Sequence, residues 1–399
     1  MRANFQPRNV LLIFILVVSW LPSSSAQENS GITWTATGSL LSARFEHTAT
    51  LLPSGQVLIV GGLVGYEELA SVELYKPNEG VFVQAANLAT ARTHHTATLL
   101  PNGQVLVVGG QRQGMTLTSA ELYNPATGVW TPTGNLHVAC SYHTATLLPN
   151  GQVLVVGGSR HAPAAGFCLG APPGSALDIA ELYDPKSGKW SVTDTLHTAR
   201  YVHTATLLRN GQVLVTGGIG AGGGNDILNG AELYNPATKT WVETGSLLKA
   251  SINQTATLLP SGQVLVVDGQ CHGAILASAE LYDPSRKAWT AMENFHTQRN
   301  GPTATLLPNG QVLIAGGAND PDLLKMVELY DPSMKTWTTV TEMNSPRGGN
   351  TATLLPNGQV LMVGGLYALG SPSNVQASAE LYAPATKPKY EKTQPTPFD

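Results

Sequence analysis

One sixteen-residue segment, HTATLLPSGQVLIVGG from His47, recurs through the chain and limits what the chain can fold into. Near-copies start at His95, His143, His203, Gln254, Pro302 and Asn350, at spacings of 48, 48, 60, 51, 48 and 48 residues. A second unit, Glu-Leu-Tyr followed by a turn, trails each copy, with tyrosines at Tyr75, Tyr123, Tyr183, Tyr234, Tyr282, Tyr330 and Tyr382. A third is an aromatic seven positions later: Phe82, Trp130, Trp190, Trp241, Trp289 and Trp337. A unit of about 50 residues repeated seven times fits the blades of a propeller, not the helix pairs of a solenoid.

Each repeat reads as four short antiparallel strands. The Thr-Ala-Thr-Leu-Leu and Gln-Val-Leu-Val-Val runs flank Pro-Asn-Gly or Pro-Ser-Gly, for which a two-residue type I′ hairpin is expected. The Glu-Leu-Tyr strand ends in Asn-Pro or Asp-Pro, a tight-turn signal. Gly80, Gly128 and Gly188 precede the aromatic strand in three repeats, and Lys239, Lys287 and Lys335 take that place in three others. No stretch carries a sustained 3.6-residue apolar period, so almost no helix is expected.

The seventh repeat lacks its aromatic strand, since Lys389 stands seven residues after Tyr382. The missing unit is at the other end, around Trp34 in Ile32–Leu40. The N-terminal strand is therefore expected to complete the last blade and close the ring, which removes exposed sheet edges. The expected organisation is a signal segment at 1–26, a linker at 27–31, the seven-bladed all-β propeller at 32–388 and a loose tail at 389–399.

Arg2 and Arg8, the apolar run Val10–Leu21 and the small residues Ser24-Ser25-Ala26 form the pattern of a secretory signal peptide cut after Ala26. Twelve apolar residues reach about 18 Å, short of a bilayer core of about 30 Å. The chain is expected to be secreted or held in the cell envelope, without an integral span after cleavage, and monomeric. A formal charge of -4 gives no basic footprint, so nucleic acid is not an expected partner. Three cysteines cannot frame the fold.

The run Arg-x-x-His-(Ser/Thr)-Ala, the apolar strand ending in Gly-Gly, the Glu-x-Tyr-Asp-Pro unit and the following tryptophan resemble kelch repeats over residues 32–388. The resemblance implies a kelch-type propeller and says little about activity, because one superfold hosts many functions. Within the kelch proteins, Tyr142-His143 before Leu147-Leu148-Pro149-Asn150-Gly151 is similar to a segment of the galactose oxidase family. That likeness implies a copper radical oxidase. Such an enzyme also needs a Cys–Tyr thioether, a second tyrosine ligand and a histidine from a C-terminal β-domain, and 17 residues follow Tyr382 here. The same turn recurs in every blade, so the preferred reading is an exported, non-catalytic binding scaffold for a carbohydrate or protein ligand, with no cofactor. A structural or adhesive surface module is the third reading.

Residues present in every blade are expected to serve the blade. The glutamates Glu73, Glu121, Glu181, Glu232, Glu280, Glu328 and Glu380 and the arginines Arg44, Arg92, Arg200, Arg299 and Arg347 are expected to be partly buried and paired, with pairing across blades as one option and a basic ring on one face as the alternative. His47, His95, His143 and His203 fall in register, but Gln254, Pro302 and Asn350 interrupt them, which favours packing over a metal ring. The glycine pairs, such as Gly61-Gly62, allow close backbone approach.

Function is expected on the face that carries the loops between strands two and three, which vary from 10 to 22 residues. The candidate ligand-binding residues there are Arg160, His161, Asp226, Asp268, His272, Asp320 and Tyr367. Cys140 replaces the arginine of blade three and Cys168 lies in that blade's long loop, so the two are candidates for a disulfide. Asp268, Cys271 and His272 place three ligand types together without a recognised metal spacing. Asn253 begins a glycosylation sequon at the start of an inner strand, where a glycan would clash.

Overall fold

The computed structural model describes residues 32–161, 172–267, 269–271 and 273–384. The expected signal segment, the expected 27–31 linker, Cys168, Asp268, His272 and the expected tail therefore lie outside the described residues, and so does the candidate Cys140–Cys168 pairing.

Seven four-stranded antiparallel sheets make a seven-bladed propeller. Blade one contains Thr48–Leu51, Val57–Val60, Val72–Lys76 and Val81–Gln84, in that order from the axis outward. Neighbouring blades meet along their first strands, and Thr48–Leu51 meets Thr351–Leu354 of blade seven. The N-terminal strand Thr33–Ala36 pairs with Ala379–Ala383, setting Trp34 opposite Tyr382. The Trp34 indole N–H also donates to the Thr341 carbonyl at 2.8 Å. The ring is thus closed by its own N-terminus.

The second strand of each blade is buried at every position because both of its faces are covered. Val57 and Ile59 pack with Leu361 and Val363 of blade seven, while Leu58 and Val60 pack with Val105 and Val107 of blade two. A period-two strand between two neighbours reads as a continuous apolar run. Fully burying each such side chain contributes about 1.5–3 kcal/mol. The Glu-Leu-Tyr tyrosine and the aromatic of strand four sit opposite one another; Tyr234 and Trp241 have ring centroids 5.0 Å apart.

The hairpin between strands one and two differs from the type I′ expectation. Leu100 N bonds the Gln104 carbonyl and Gly103 N bonds the Leu100 carbonyl, so Pro101, Asn102 and Gly103 form a three-residue loop. Only the glycine has positive φ, +83°. Proline suits the second position of a type I turn, and glycine then takes the left-handed position of a bulge. The later turn does use the glycine-or-lysine position as a left-handed residue: Gly80, Gly128 and Gly188 have φ of 65–69°, and Lys239, Lys287 and Lys335 have 53–59°.

The arginine–glutamate pairs form within blades, not across them. Arg44 Nη2 lies 2.7 Å from Glu73 Oε1, and Nη1 donates to the carbonyls of Gly61 and Ser71. The same carboxylate accepts the backbone N–H groups of Leu41 and Ser42, which lead into the blade. Each pair therefore anchors the incoming connection to strand three. All five arginines are buried, so they form no exposed basic ring. In blade three, where Cys140 replaces arginine, Glu181 pairs with His137 Nδ1 at 2.7 Å. In blade five Glu280 accepts only the N–H groups of Leu248 and Lys249 among the described residues, and desolvation pushes its carboxyl above the ordinary value.

Candidate functional site

Strand direction places all hairpin turns on one face and all strand 2–3 loops, with the blade connections, on the other. The turn face carries a cavity of about 650 Å³ lined by Pro101, Leu148, Pro149, Asp184 and Pro185. Related hollows of about 540 and 470 Å³ lie between the same turns at blades seven to one and four to five. They recur because the turns recur. The channel mouth on the loop face has no such repetition.

Four of the seven junctions around the axis are bridged by histidine. His47 Nε2 bonds Thr351 Oγ1, and His95, His143 and His203 bond Thr48, Thr96 and Thr144 of the preceding blade, at 2.9–3.0 Å. All four histidines are buried. Burial, with the Arg44 charge, lowers His47 to about 3, and burial with Arg92 lowers His143 to about 4. His95 and His203 lie well below the ordinary value for the same reasons. These are neutral packing histidines that bind blade to blade. At the other three junctions the bridge is missing. Gln254 donates to the Thr216 carbonyl instead, Pro302 has nothing to donate, and Asn350 has neither amide atom bonded among the described residues. Thr204 and Thr255 accordingly keep buried hydroxyls without partners among those residues.

The residue just before each register position lies in the left-handed region. Glu46, His94, Tyr142, Val202, Asn253, Gly301 and Gly349 all have φ between 51° and 64°. They form a ring at the mouth: Glu46 N donates to the Gly349 carbonyl, Tyr142 N to that of His94, and Val202 N to that of Tyr142. Side chains fill one side of the ring. Tyr142 OH bonds His94 Nε2 at 2.8 Å with the rings stacked at 3.9 Å, and His94 Nδ1 lies 3.5 Å from Glu46 Oε2. Desolvation on the channel wall pushes the Glu46 carboxyl up, and the contact with His94 more than offsets it, so the group stays below its ordinary value and ionised. Gly301 and Gly349 leave the other side open. A pocket of about 340 Å³ lies there, lined among others by Glu46, Asn253, Gln254, Asn300, Leu323 and Asn350. Left-handed non-glycine residues are held at a cost of about 1–3 kcal/mol each and cluster at functional sites.

Of the expected loop residues that are described, Arg160, His161, Asp226, Asp320 and Tyr367, no two are in hydrogen-bond or ionic contact with one another. Arg160 is exposed, and its backbone bonds Ser175 and Thr116. His161 is exposed beside Ser175. Asp226 Oδ2 accepts the Gly222 N–H and so holds its own loop. Asp320 is exposed, and Tyr367, 48% exposed, uses its backbone N–H to bond Asn374. Asp268 and His272 are outside the described residues. The mouth ring was not among the expected residues. Its signal is a variable position, Glu, His, Tyr, Val, Asn, Gly, Gly, inside an otherwise repeated segment.

The copper centre implied by the oxidase resemblance does not fit. His143 Nε2 is engaged with Thr96 between blades, whereas the Tyr142 hydroxyl turns to His94 in the mouth. Neighbours in sequence, they serve different partners. Among the described residues no group of three His, Cys, Asp or Glu side chains is arranged to hold a metal ion. Cys140 packs with Leu136, Leu177 and Trp190, and burial pushes its thiol up.

The kelch motif matches residues 92–137, 200–248 and 301–344. No curated protein matches the chain. Among solved structures, a novel fungal alcohol oxidase with catalytic diversity among the AA5 family, in complex with copper, is similar, with a TM-score of 0.71 and 18% identity. The match covers 89% of this chain and 76% of that one. At that identity the likeness is one of fold. Seven blades of four strands, with matched motifs in blades two, four and six, identify the chain as a kelch-repeat β-propeller.

Proposed function

We propose that the protein is an exported, non-catalytic binding scaffold that takes a protein or carbohydrate ligand at the channel mouth on its loop face. The observation that carries this reading is the pair Gly301 and Gly349. Five equivalent positions hold side chains at nearly the same φ, so the backbone does not require glycine at these two. Their lack of side chains opens the pocket, and a Cβ on Gly301 would meet no atom within 4 Å. A cavity of about 340 Å³ lies within the range that holds small ligands or a side-chain anchor. The pocket wall mixes aliphatic side chains with amides, as a recognition site does.

The test is a Gly301→Tyr variant, which fills the mouth as Tyr142 fills the opposite side. Glycan and peptide arrays probed with the mature wild-type protein should yield ligands that the variant no longer binds, with its unfolding midpoint unchanged. Undiminished binding by the variant would move the site away from the mouth.

A further inference from the structure

We propose that the mouth pocket seats the ammonium group of a lysine side chain presented by a partner protein, received by the Glu46 carboxylate and the amide oxygens of Gln254, Asn300 and Asn350. This rests on the reading of the mouth as the ligand site and names the chemistry it selects.

The pocket is rich in acceptors. Gln254 is 6% exposed, and its amide is oriented by donation from Nε2 to the Thr216 carbonyl, so Oε1 is the atom left without a partner among the described residues. Asn300 is oriented in the same way by donation to Gln270 Oε1, which leaves its Oδ1. Asn350 contributes a third oxygen without a partner among the described residues, together with its Nδ2 in the same state. These three oxygens lie just behind the pocket surface, closed to solvent, so a guest ammonium meets them as the amide side chains turn toward it; unmet buried acceptors of this kind are expensive unless a donor arrives. Glu46 completes the set. While Oε2 faces His94, Oε1 stands over Gly349, 3.1 Å from where a Cβ would be. The only other titratable group in the described lining is His47, held neutral. The pocket therefore carries one negative charge and no cation among its described lining residues.

The remaining wall is aliphatic, from Ala318, Leu323, Leu366 and Leu369. Phe45, the one aromatic in the described lining, is 1% exposed and offers no platform for a sugar ring. An alkyl stem against leucines with a compact three-donor head among several acceptors describes lysine. Guanidinium would instead want a paired, planar acceptor.

The test uses the mature protein and a capped pentapeptide with a central lysine, titrated beside twins that carry acetyl-lysine, norleucine or arginine. The lysine peptide should bind at least tenfold more tightly than each twin. Glu46→Gln should cut that preference about tenfold, and Gly301→Tyr should abolish binding. Equal binding of the lysine and norleucine peptides would overturn the proposal, as would an arginine twin that binds as well. Glucosamine binding that depends on Glu46, without peptide binding, would overturn the protein partner. Neutral-sugar binding lost in Gly301→Tyr would overturn the ammonium but leave the mouth as the ligand site. Lysine-peptide binding that survives Gly301→Tyr would overturn both.

Discussion

The junctions from blade seven round to blade four and those from blade four round to blade seven are made from the same repeat, yet they are closed differently. In the first set a buried histidine bonds a threonine of the preceding blade at every step, and Glu46, His94 and Tyr142 fill the mouth above them. In the second set glutamine, proline and asparagine replace the histidines, and glycine takes two of the three ring positions. The pocket opens over this second set. A repeated scaffold thus makes a site by omitting a repeated element, because an omitted bridge leaves polar atoms unmet and an omitted side chain leaves space.

Acid should separate the two sets most. The folded protein keeps His47 at about 3 and His143 at about 4, whereas unfolded histidine titrates near 6.5. Between these values the unfolded chain binds more protons, so stability falls as pH drops from about 6.5 toward 4. The slope is about 1.4 kcal/mol per pH unit for each such histidine. Denaturant unfolding of a His47→Gln/His143→Gln variant should show a flatter profile; Gln254 already occupies the equivalent place in blade five. A profile as steep as wild type would mean that these histidines are not the source.

A smaller effect is expected from the threonines. Thr48→Val strands His95 Nε2 and should destabilise by about 1–3 kcal/mol. Thr255→Val removes a hydroxyl that has no partner among the described residues and should be neutral or stabilising. Equal losses at both sites in urea unfolding would erase the distinction between the junctions.

The smallest effect concerns the outer turns. Blades one to three hold glycine at the left-handed position, and blades four to six hold lysine. Lys239→Gly should raise stability by roughly 0.5–1 kcal/mol, since glycine adopts this φ without steric cost. The reverse change, Gly128→Lys, should lower it by a similar amount, and a thermal melt of each would show the sign.

Much of this was legible in the chain. The Tyr75 and Phe82 units and their copies predict four-stranded blades, and the displaced Trp34 predicts closure by the N-terminus, because strand order and burial follow from local period and turn residues. The Pro-Asn-Gly turn was legible as a turn, but not in its type: proline at the second position favours the type I geometry with a bulge over type I′. The arginine–glutamate pairing was legible as pairing, but its closure within one blade depends on how far Arg44 reaches past Gly61 toward Glu73. Of the candidate loop residues, Arg160, Asp226, Asp320 and Tyr367 sit in different blades, so a shared loop face did not by itself say which of them meet.

By itself, then, the sequence determined the number of blades, their internal strand order and the closing strand, all of which are set by contacts between residues close in the repeat or paired by its pattern. The tertiary structure alone decided which histidine meets which threonine, and that Glu46, Gln254, Asn300 and Asn350 share one pocket. Those residues span some 300 positions and meet only when the ring closes, so no local pattern encodes their distance.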